Sequence, residues 1–277
     1  MLRVLRQRLQ SNMTLIVGLS SIFGYGAIIS DIAVTFQNGE KRDCLKKSFV
    51  TSQFVAAGFS GSVYNGYRLI QAFADLTHIS KDAENTYCCD PIFFANKFQP
   101  TAKDIFRSAP ALEQKCGSHL IVVGVVPNED ENKPIPKVHM LRLASPEFKP
   151  QFFNQANRTC VIGSGAKNKR VMRMIREWEE FRSKSWNAEQ GSFGGWAVTL
   201  AYWLSRRLRV NPIPGVSSHL HVSAFTLGGC SEGNSDERIC YNDETETIIK
   251  MPSVATRYDD FLRMTQAAGL NAACAIA

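Results

Sequence analysis

Short apolar runs at residues 14–19 and 27–30 lie on either side of a segment in which glycine and serine interrupt the apolar pattern. Two short apolar runs joined by a glycine-containing turn predict a β-hairpin. Three arginines among the first eight residues precede the pair, and a basic segment before an apolar one is also typical of a secretory signal or membrane anchor. The interruptions favour the hairpin, because a helix that crosses a bilayer needs about twenty predominantly apolar residues. Residues 1–13 are therefore expected to be a removable leader or an upstream extension.

Further along the chain, the apolar residues alternate between the strand period and the helical period. Residues 49–57 form a β-rich run that ends at Gly58, and apolar residues from Val63 to Ala74 recur at helical spacing. Other runs predict strands at 120–126, 138–143, 159–162 and 220–227, helices at about 91–107, from Ser164 onward and at about 189–209, and short strands near 238–241 and 246–250. A tail of small residues, 266–277, is expected to be loosely ordered.

The predicted elements follow the order strands, two helices, strands, two helices, strands. This order suits an α+β domain in which two sheets pack face to face with a layer of helices outside each sheet. No internal repeat or interdomain linker interrupts the order, so residues 14–265 are expected to form one domain.

Composition narrows the function classes. The 277 residues are 44% hydrophobic and 21% charged with a net charge of +7, as expected for a globular chain. The basic residues are scattered apart from three short runs, without aromatic residues at a stacking spacing, so no nucleic-acid partner is expected. Eight cysteines include no CxxC pair, which favours free thiols in a reducing compartment. His219 and His221 have no third ligand in view, so neither a metal nor a cofactor is expected.

Three residues carry the groups that a chain needs to hydrolyse amides with its own amino terminus. The Thr14 hydroxyl is a weak nucleophile until a base removes its proton, and an α-amine with a pKa of about 7.7–8.0 can be that base at neutral pH. Lys46, thirty-two residues after Thr14, would supply a positive charge that lowers the pKa of neighbouring acids, and Asp31 would hold that lysine in place. Lys47 competes with Lys46 for this role. The chemistry requires Thr14 to become the first residue of the chain.

The order and separation of several segments resemble those of proteasome β-type subunits and of the bacterial proteasome-like peptidase HslV. These segments are Met13–Leu19, Ala27–Asp31, Lys46 and Ala57–Ser62. Downstream, Cys160–Gly165 is similar to the Ile-Gly-Ser-Gly stretch of that family, and with the strand at 217–225 the resemblance covers roughly residues 13–252.

The resemblance implies the four-layer αββα sandwich of N-terminal nucleophile hydrolases and the activity of a cytoplasmic threonine protease. It favours Lys46 over Lys47 by the count from Thr14. It also implies that the Gly58 N–H stabilises the oxyanion and that Ser164 moves protons near the terminal amine. Relatives assemble into rings, so we expect a homo-oligomeric ring that acts on peptides or unfolded proteins, with an ATPase as a possible partner and no membrane association.

The sequence departs from the family pattern in two places. Asn12 and Met13 precede Thr14 where self-processing relatives usually carry glycine, so removal of Met13 as an initiator methionine is a second route to a free Thr14. Ser217 and Ser218 lie where the family often has a further serine, but proline or glycine occupies the position of its acidic partner. Two alternatives to the peptidase therefore stay open, namely a non-catalytic scaffold subunit and an amidohydrolase that acts on a small metabolite.

Overall fold

The computed structural model describes residues 14–78, 90–128, 130, 132, 135–155, 158–185, 195–236 and 250–277, without the side chains of residues 181–185, 195 and 196. Residues 1–13 lie outside these ranges, and so do the short strands predicted near 238–241 and 246–250, apart from residue 250. In the described part the chain is a mixed α/β protein whose strands pair antiparallel.

The first sheet, called sheet I, contains the predicted N-terminal hairpin. Its order is β10-β1-β2-β11-β12, with β1 Ile16–Ser20, β2 Gly26–Asp31, β10 Thr159–Ile162, β11 Leu220–Thr226 and β12 Gly229–Asn234. β1 and β2 pair from Ile16 opposite Ser30 to Ser20 opposite Gly26, which confirms the hairpin. Both strands are buried along their whole length, so they lie at the centre of sheet I.

The second sheet, called sheet II, is also five-stranded. Its order is β5-β6-β7-β8-β9, with β5 Ser48–Ser52, β6 Val55–Gly61, β7 Ser118–Val126, β8 Lys137–Ala144 and β9 Gln151–Phe153. A separate two-stranded ribbon pairs β3 Ala33–Thr35 with β4 Lys41–Asp43. The single strand predicted over residues 49–57 is wrong, because the chain turns at Gln53 and Phe54 and forms the β5–β6 hairpin.

Six α-helices are found among the described residues. They are α1 Val63–His78, α2 Pro91–Arg107, α3 Ala111–Lys115, α4 Lys169–Ser185, α5 Gly195–Val210 and α6 Tyr258–Ala267. α2 begins where the sequence favours a start, since Asp90 accepts a hydrogen bond from the Ile92 N–H at 2.9 Å and proline follows as the first helical residue. The helix predicted from Ser164 is instead a 3-10 turn, Ser164–Lys167, followed by α4.

Three buried clusters hold the sheets and helices together. One contains residues from both sheets, among them Ile16, Ile28, Ile121, Val123 and Met140. A second joins sheet II to α1, α2 and α6 through Phe59, Phe73, Phe98 and Phe261. The third joins sheet I to α4 and α5 through Val17, Ile175 and Leu204. Sheets I and II therefore share a core, and each is also covered by helices.

The expectation of a loosely ordered tail at residues 266–277 is wrong. α6 continues to Ala267, and the last residues pair with two strand ends: Ile276 bridges antiparallel to both Thr35 and Ser62. Ala275 and Ala277 are 1% and 0% exposed. Small side chains, which suggested disorder from sequence, are what this packed position accepts.

Candidate active site

A glycine-rich loop holds Thr14 by its main chain. The Thr14 N–H donates to the Ser164 Oγ at 3.0 Å, and the Gly165 N–H donates to the Thr14 carbonyl at 2.9 Å. A Cβ at Gly163 or Gly165 would lie 2.5 or 2.8 Å from that carbonyl oxygen, so the close approach requires glycine at both positions. The structure thus places Ser164 beside the Thr14 nitrogen, where the resemblance implied it.

The carboxylate of Asp31, at the end of β2, binds groups at or just before the starts of β1, β3 and β5. Its Oδ2 accepts from the Leu15 N–H at 2.6 Å, and its Oδ1 accepts from the Ala33 N–H at 3.0 Å and from the Lys47 ammonium. Asp31 is 0% exposed. Burial raises the pKa of this carboxyl above its ordinary value, while Lys47 and the two N–H groups lower it. These donors are what favours an ionised carboxylate in a site without water contact.

The predicted contact between Asp31 and Lys46 is wrong, because Lys47 makes it. The Asp31 and Lys47 side chains are both 0% exposed and form an ion pair. The Lys46 ammonium instead binds the half-exposed carboxylate of Glu232 at 3.0 Å. Neighbouring residues of an extended chain point to opposite sides, so only one of two adjacent lysines can enter the interior. The count from Thr14 selected the wrong member of the pair.

The turn expected at Gly58 is also misplaced. Gly58 lies in the middle of β6, between Ser48 of β5 and Ile121 of β7. A Cβ there would be 3.1 Å from the Ile16 Cγ2, so its open side faces sheet I rather than a groove. The strand ends three residues later at Gly61, which has φ +99°, and α1 begins at Val63. Gly61 therefore occupies the strand-to-helix position that was assigned to Gly58.

A second hydrogen-bonded group lies at the same end of sheet I. The Ser217 hydroxyl donates to the Asp43 Oδ2 at 2.7 Å, so the acid absent from positions 214 and 215 is supplied by β4. Leu220, three residues later, pairs with Asp31 in the sheet register.

The two histidines of β11 and its start do not form a metal site. His219 binds the buried Asp236, which also accepts from Arg209, so His219 is engaged away from His221. The described residues contain no cluster of side chains that could hold a metal ion.

The described cysteines are poor alternatives as nucleophiles. Cys44, Cys116, Cys160, Cys230 and Cys274 are free thiols. Burial raises the pKa of Cys44 and of Cys160 to about 11, so few of these thiols are ionised at neutral pH. Cys88, Cys89 and Cys240 lie outside the described residues.

Three site residues were not identified from the sequence, namely Lys47, Gly61 and Asp43. The first two carried a usable signal, because Lys46 and Lys47 were recognised as competitors and because glycine at 61 lies two residues before the helical spacing that begins at Val63. Asp43 carried none, since its partner Ser217 is 174 residues away in the chain.

Comparison of the sequence with protein-family models and with curated proteins finds no match in either set. In the part of the chain that the structure describes, no helix has the length and apolar character needed to cross a membrane.

His221 makes the stability of this region depend on pH. It pairs with Ser30 in the β11–β2 register, and burial, with a smaller effect of Lys46, lowers the pKa of its imidazole from 6.5 to about 4. Between those values the unfolded chain binds a proton that the folded chain does not bind, so the free energy of unfolding is expected to fall as the pH drops from 6.5 to 4. His221→Gln should reduce that fall by on the order of 2 kcal/mol. Urea unfolding of both proteins at pH 7 and pH 4.5 measures the difference, and parallel pH dependences would contradict the assignment.

Proposed function

We propose that this chain is a threonine-type peptidase with the αββα fold of N-terminal nucleophile hydrolases. The observation that carries the proposal is one connected set of contacts: Ser164 binds the Thr14 nitrogen, Asp31 binds the next N–H in the chain, and Asp31 holds the fully buried Lys47. The three buried clusters, with helices on one side of each sheet and the sheets sharing a core, support the four-layer fold. The leader, residues 1–13, must be removed for the site to work.

In the proposed mechanism Thr14 supplies both the nucleophile and the base. Its Oγ attacks a peptide carbonyl while its freed α-amine takes the hydroxyl proton through a water molecule. The proton then passes to the leaving amine, and water hydrolyses the ester that links the acyl group to the Thr14 Oγ. Asp31 links the buried ammonium of Lys47 to the N–H of Leu15, the residue after Thr14, and in this mechanism that positive charge favours the alkoxide form of the Thr14 hydroxyl. Ser164 orients the amine.

The oxyanion role moves from Gly58 to Gly61 in this proposal. Gly58 lies within a paired strand, whereas the Gly61 N–H is at the strand end and donates at 2.7 Å to the carbonyl of Ala277, a residue outside sheet II. When Ala277 does not occupy it, this main-chain N–H would be available to hold the carbonyl of a substrate.

The remaining expectations follow from the resemblance alone and are part of the proposal. We infer a cytoplasmic protein that acts on peptides or unfolded proteins within a homo-oligomeric ring, with an ATPase as a possible partner. The ring would restrict access to the site.

A chain that begins with Met13 followed by Thr14 tests the proposal. Intact-mass measurement should find that the methionine has been removed, and a threonine-directed epoxyketone should then label the protein. Thr14→Ala should abolish labelling and lower peptide turnover by roughly 10³-fold or more, since one residue supplies two catalytic groups. Thr51→Ala is the matched control, because Thr51 is also buried and its hydroxyl binds only the Val55 carbonyl among the described contacts.

The outcomes separate the three candidate functions. A native chain that keeps residues 1–13, or labelling that survives Thr14→Ala, would overturn the peptidase. A freed Thr14 without turnover or labelling favours the non-catalytic scaffold subunit. Turnover of non-peptide amides but not of peptides favours the amidohydrolase of a small metabolite.

A further inference from the structure

The last residues of the chain are inserted between two strand ends. The segment comprising residues 272–277, called here the 272–277 strand, first turns, with the Ala275 N–H bound to the Ala272 carbonyl and Cys274 at φ +55°. It then continues in extended form through Ala277. Ile276 pairs antiparallel with Thr35 on one side and with Ser62 on the other. The strand therefore fills a gap between the end of β3 and the end of β6.

Main-chain hydrogen bonds hold the strand on both sides. The Ile276 N–H and carbonyl bond to Thr35 at 2.9 and 3.0 Å, and the Ala277 N–H and carbonyl bond to Gly61, both at 2.7 Å. On the Gly61 side, the Val63 N–H also donates to the Ala275 carbonyl at 3.0 Å. These contacts involve only main-chain atoms of the strand, so any peptide in the same conformation could make them.

A buried carboxylate fixes the start of the strand. Glu113 is 5% exposed, and its Oε1 accepts from the Cys274 N–H at 2.7 Å while its Oε2 accepts from the Ser62 hydroxyl at 2.7 Å. One ionisable group thus binds both the 272–277 strand and the residue that follows Gly61. This arrangement is a built site for a main chain that turns at Cys274 and then runs extended to Ala277.

The side chains of the strand define what the gap accepts. Ala275 and Ala277 point into the buried cluster that contains Phe59 and Tyr67, and both are essentially unexposed, whereas Ile276 between them is partly exposed. Alternate residues of a strand face the same side. The gap therefore accepts small side chains at two positions separated by one residue.

Both walls of the gap belong to segments that continue from residues of the candidate active site. Thr35 lies four residues after Asp31. Gly61 lies two residues after Phe59, whose N–H donates to the Lys47 carbonyl at 3.0 Å. The 272–277 strand thus joins β3, which follows the strand that carries Asp31, and β6, which pairs with the strand that Lys47 precedes.

We propose that the 272–277 strand is an internal occupant of the peptide-binding groove that competes with substrate, so that the full chain is active but less active than the chain without this strand. The groove then binds extended peptides with residues as small as alanine at the two buried positions. This inference rests on the proposed function for its catalytic consequence, but binding of a peptide in the groove does not.

Peptide binding without turnover tests the proposal. All proteins carry Thr14→Ala. The probe is a fluorescein-labelled peptide with the sequence of residues 272–277 and serine in place of its cysteine, and fluorescence anisotropy measures its binding. A tethered strand competes at an effective concentration in the millimolar range, so the chain lacking residues 272–277 should bind the probe at least about tenfold more tightly than the full chain. Full-length Ile276→Pro, which removes one N–H bond to Thr35, should shift affinity in the same direction, and Ala273→Ser at an exposed position should not.

Two altered probes examine the groove itself. Proline in place of the residue equivalent to Ile276 should abolish binding, since it cannot donate to the Thr35 carbonyl. Phenylalanine in place of the residue equivalent to Ala277 should weaken binding at least about tenfold, because the buried position has no room for a ring.

Equal probe binding by the full and shortened chains, or none by either, would overturn the proposal. If both the shortened chain and Ile276→Pro fail to fold, the strand is an obligatory part of the core and the proposal also fails. If the shortened chain binds the probe but shows no turnover when Thr14 is restored, the result supports the proposal that the strand occupies the groove. The same result contradicts the proposed peptidase function.

Discussion

Lys47→Met is expected to lower the free energy of unfolding by about 3–5 kcal/mol, because it leaves the fully buried carboxylate of Asp31 without its cation. Lys46→Met, the matched control, removes an ion pair with the half-exposed Glu232 and should change stability by about 1 kcal/mol or less. Urea unfolding at pH 7, monitored by circular dichroism, measures both values. The two lysines are adjacent in the sequence, yet the expected losses in the free energy of unfolding differ severalfold.

Two further measurements constrain this interpretation. The double variant Asp31→Asn with Lys47→Met removes both charges and should recover part of the lost stability, since an uncompensated charge is what makes the single change costly. The cost of Lys47→Met should also shrink as the pH falls, because a buried carboxyl can take up a proton in place of its ion pair. Equal losses for the two single variants would contradict the placement of Lys47.

Gly61→Ala is expected to destabilise the protein by at least about 3 kcal/mol. The residue has φ +99°, and a Cβ would lie 2.4 Å from the main-chain oxygen of Gly117, which cannot move aside as a flexible side chain can. Gly39 is the matched control, since it has φ +86° but no atom within 4 Å of an added Cβ. Gly39→Ala should therefore cost only the conformational strain, about 1 kcal/mol.

Thermal and urea unfolding of these variants, with Gly58→Ala as a third, give the comparison. Gly58 has no strained φ, and an added methyl would press on the Ile16 and Ile121 side chains at 3.1 and 3.5 Å, so an intermediate cost is expected. A larger loss at Gly58 than at Gly61 would show that the turn is not the constrained position.

Local patterns predicted the elements well where the hydrophobic period was long and unbroken. The hairpin of β1 and β2, the strands β7, β8, β10 and β11, and the helices α1, α2 and α5 all follow such runs. The β5–β6 hairpin was missed because its turn residues, Gln53 and Phe54, are neither glycine nor proline, so nothing in the run marked a reversal. The misplacement of Gly58 followed from that missed turn.

The candidate site was predictable to within a residue where one element determined the position, and not where distant segments meet. Thr14, Asp31 and Ser164 lie where β1, β2 and the loop after β10 bring them together. The choice between Lys46 and Lys47 depended on which side chain faces the interior, which a count along the chain does not determine. The pairing of Ser217 with Asp43 depends on a tertiary contact between β4 and the start of β11.

The hydrogen bonds from residues 163–165 to Thr14 have a thermodynamic consequence for the proposed cleavage before Thr14. Ser164 and Gly165 fix the nitrogen and the carbonyl of Thr14 by hydrogen bonds that do not involve the preceding residue's side chain. The conformational entropy of this residue is thus already lost when the chain folds, and cleavage before it would require no rearrangement to align the new amine. Such a nucleophile would be preorganised before it becomes competent.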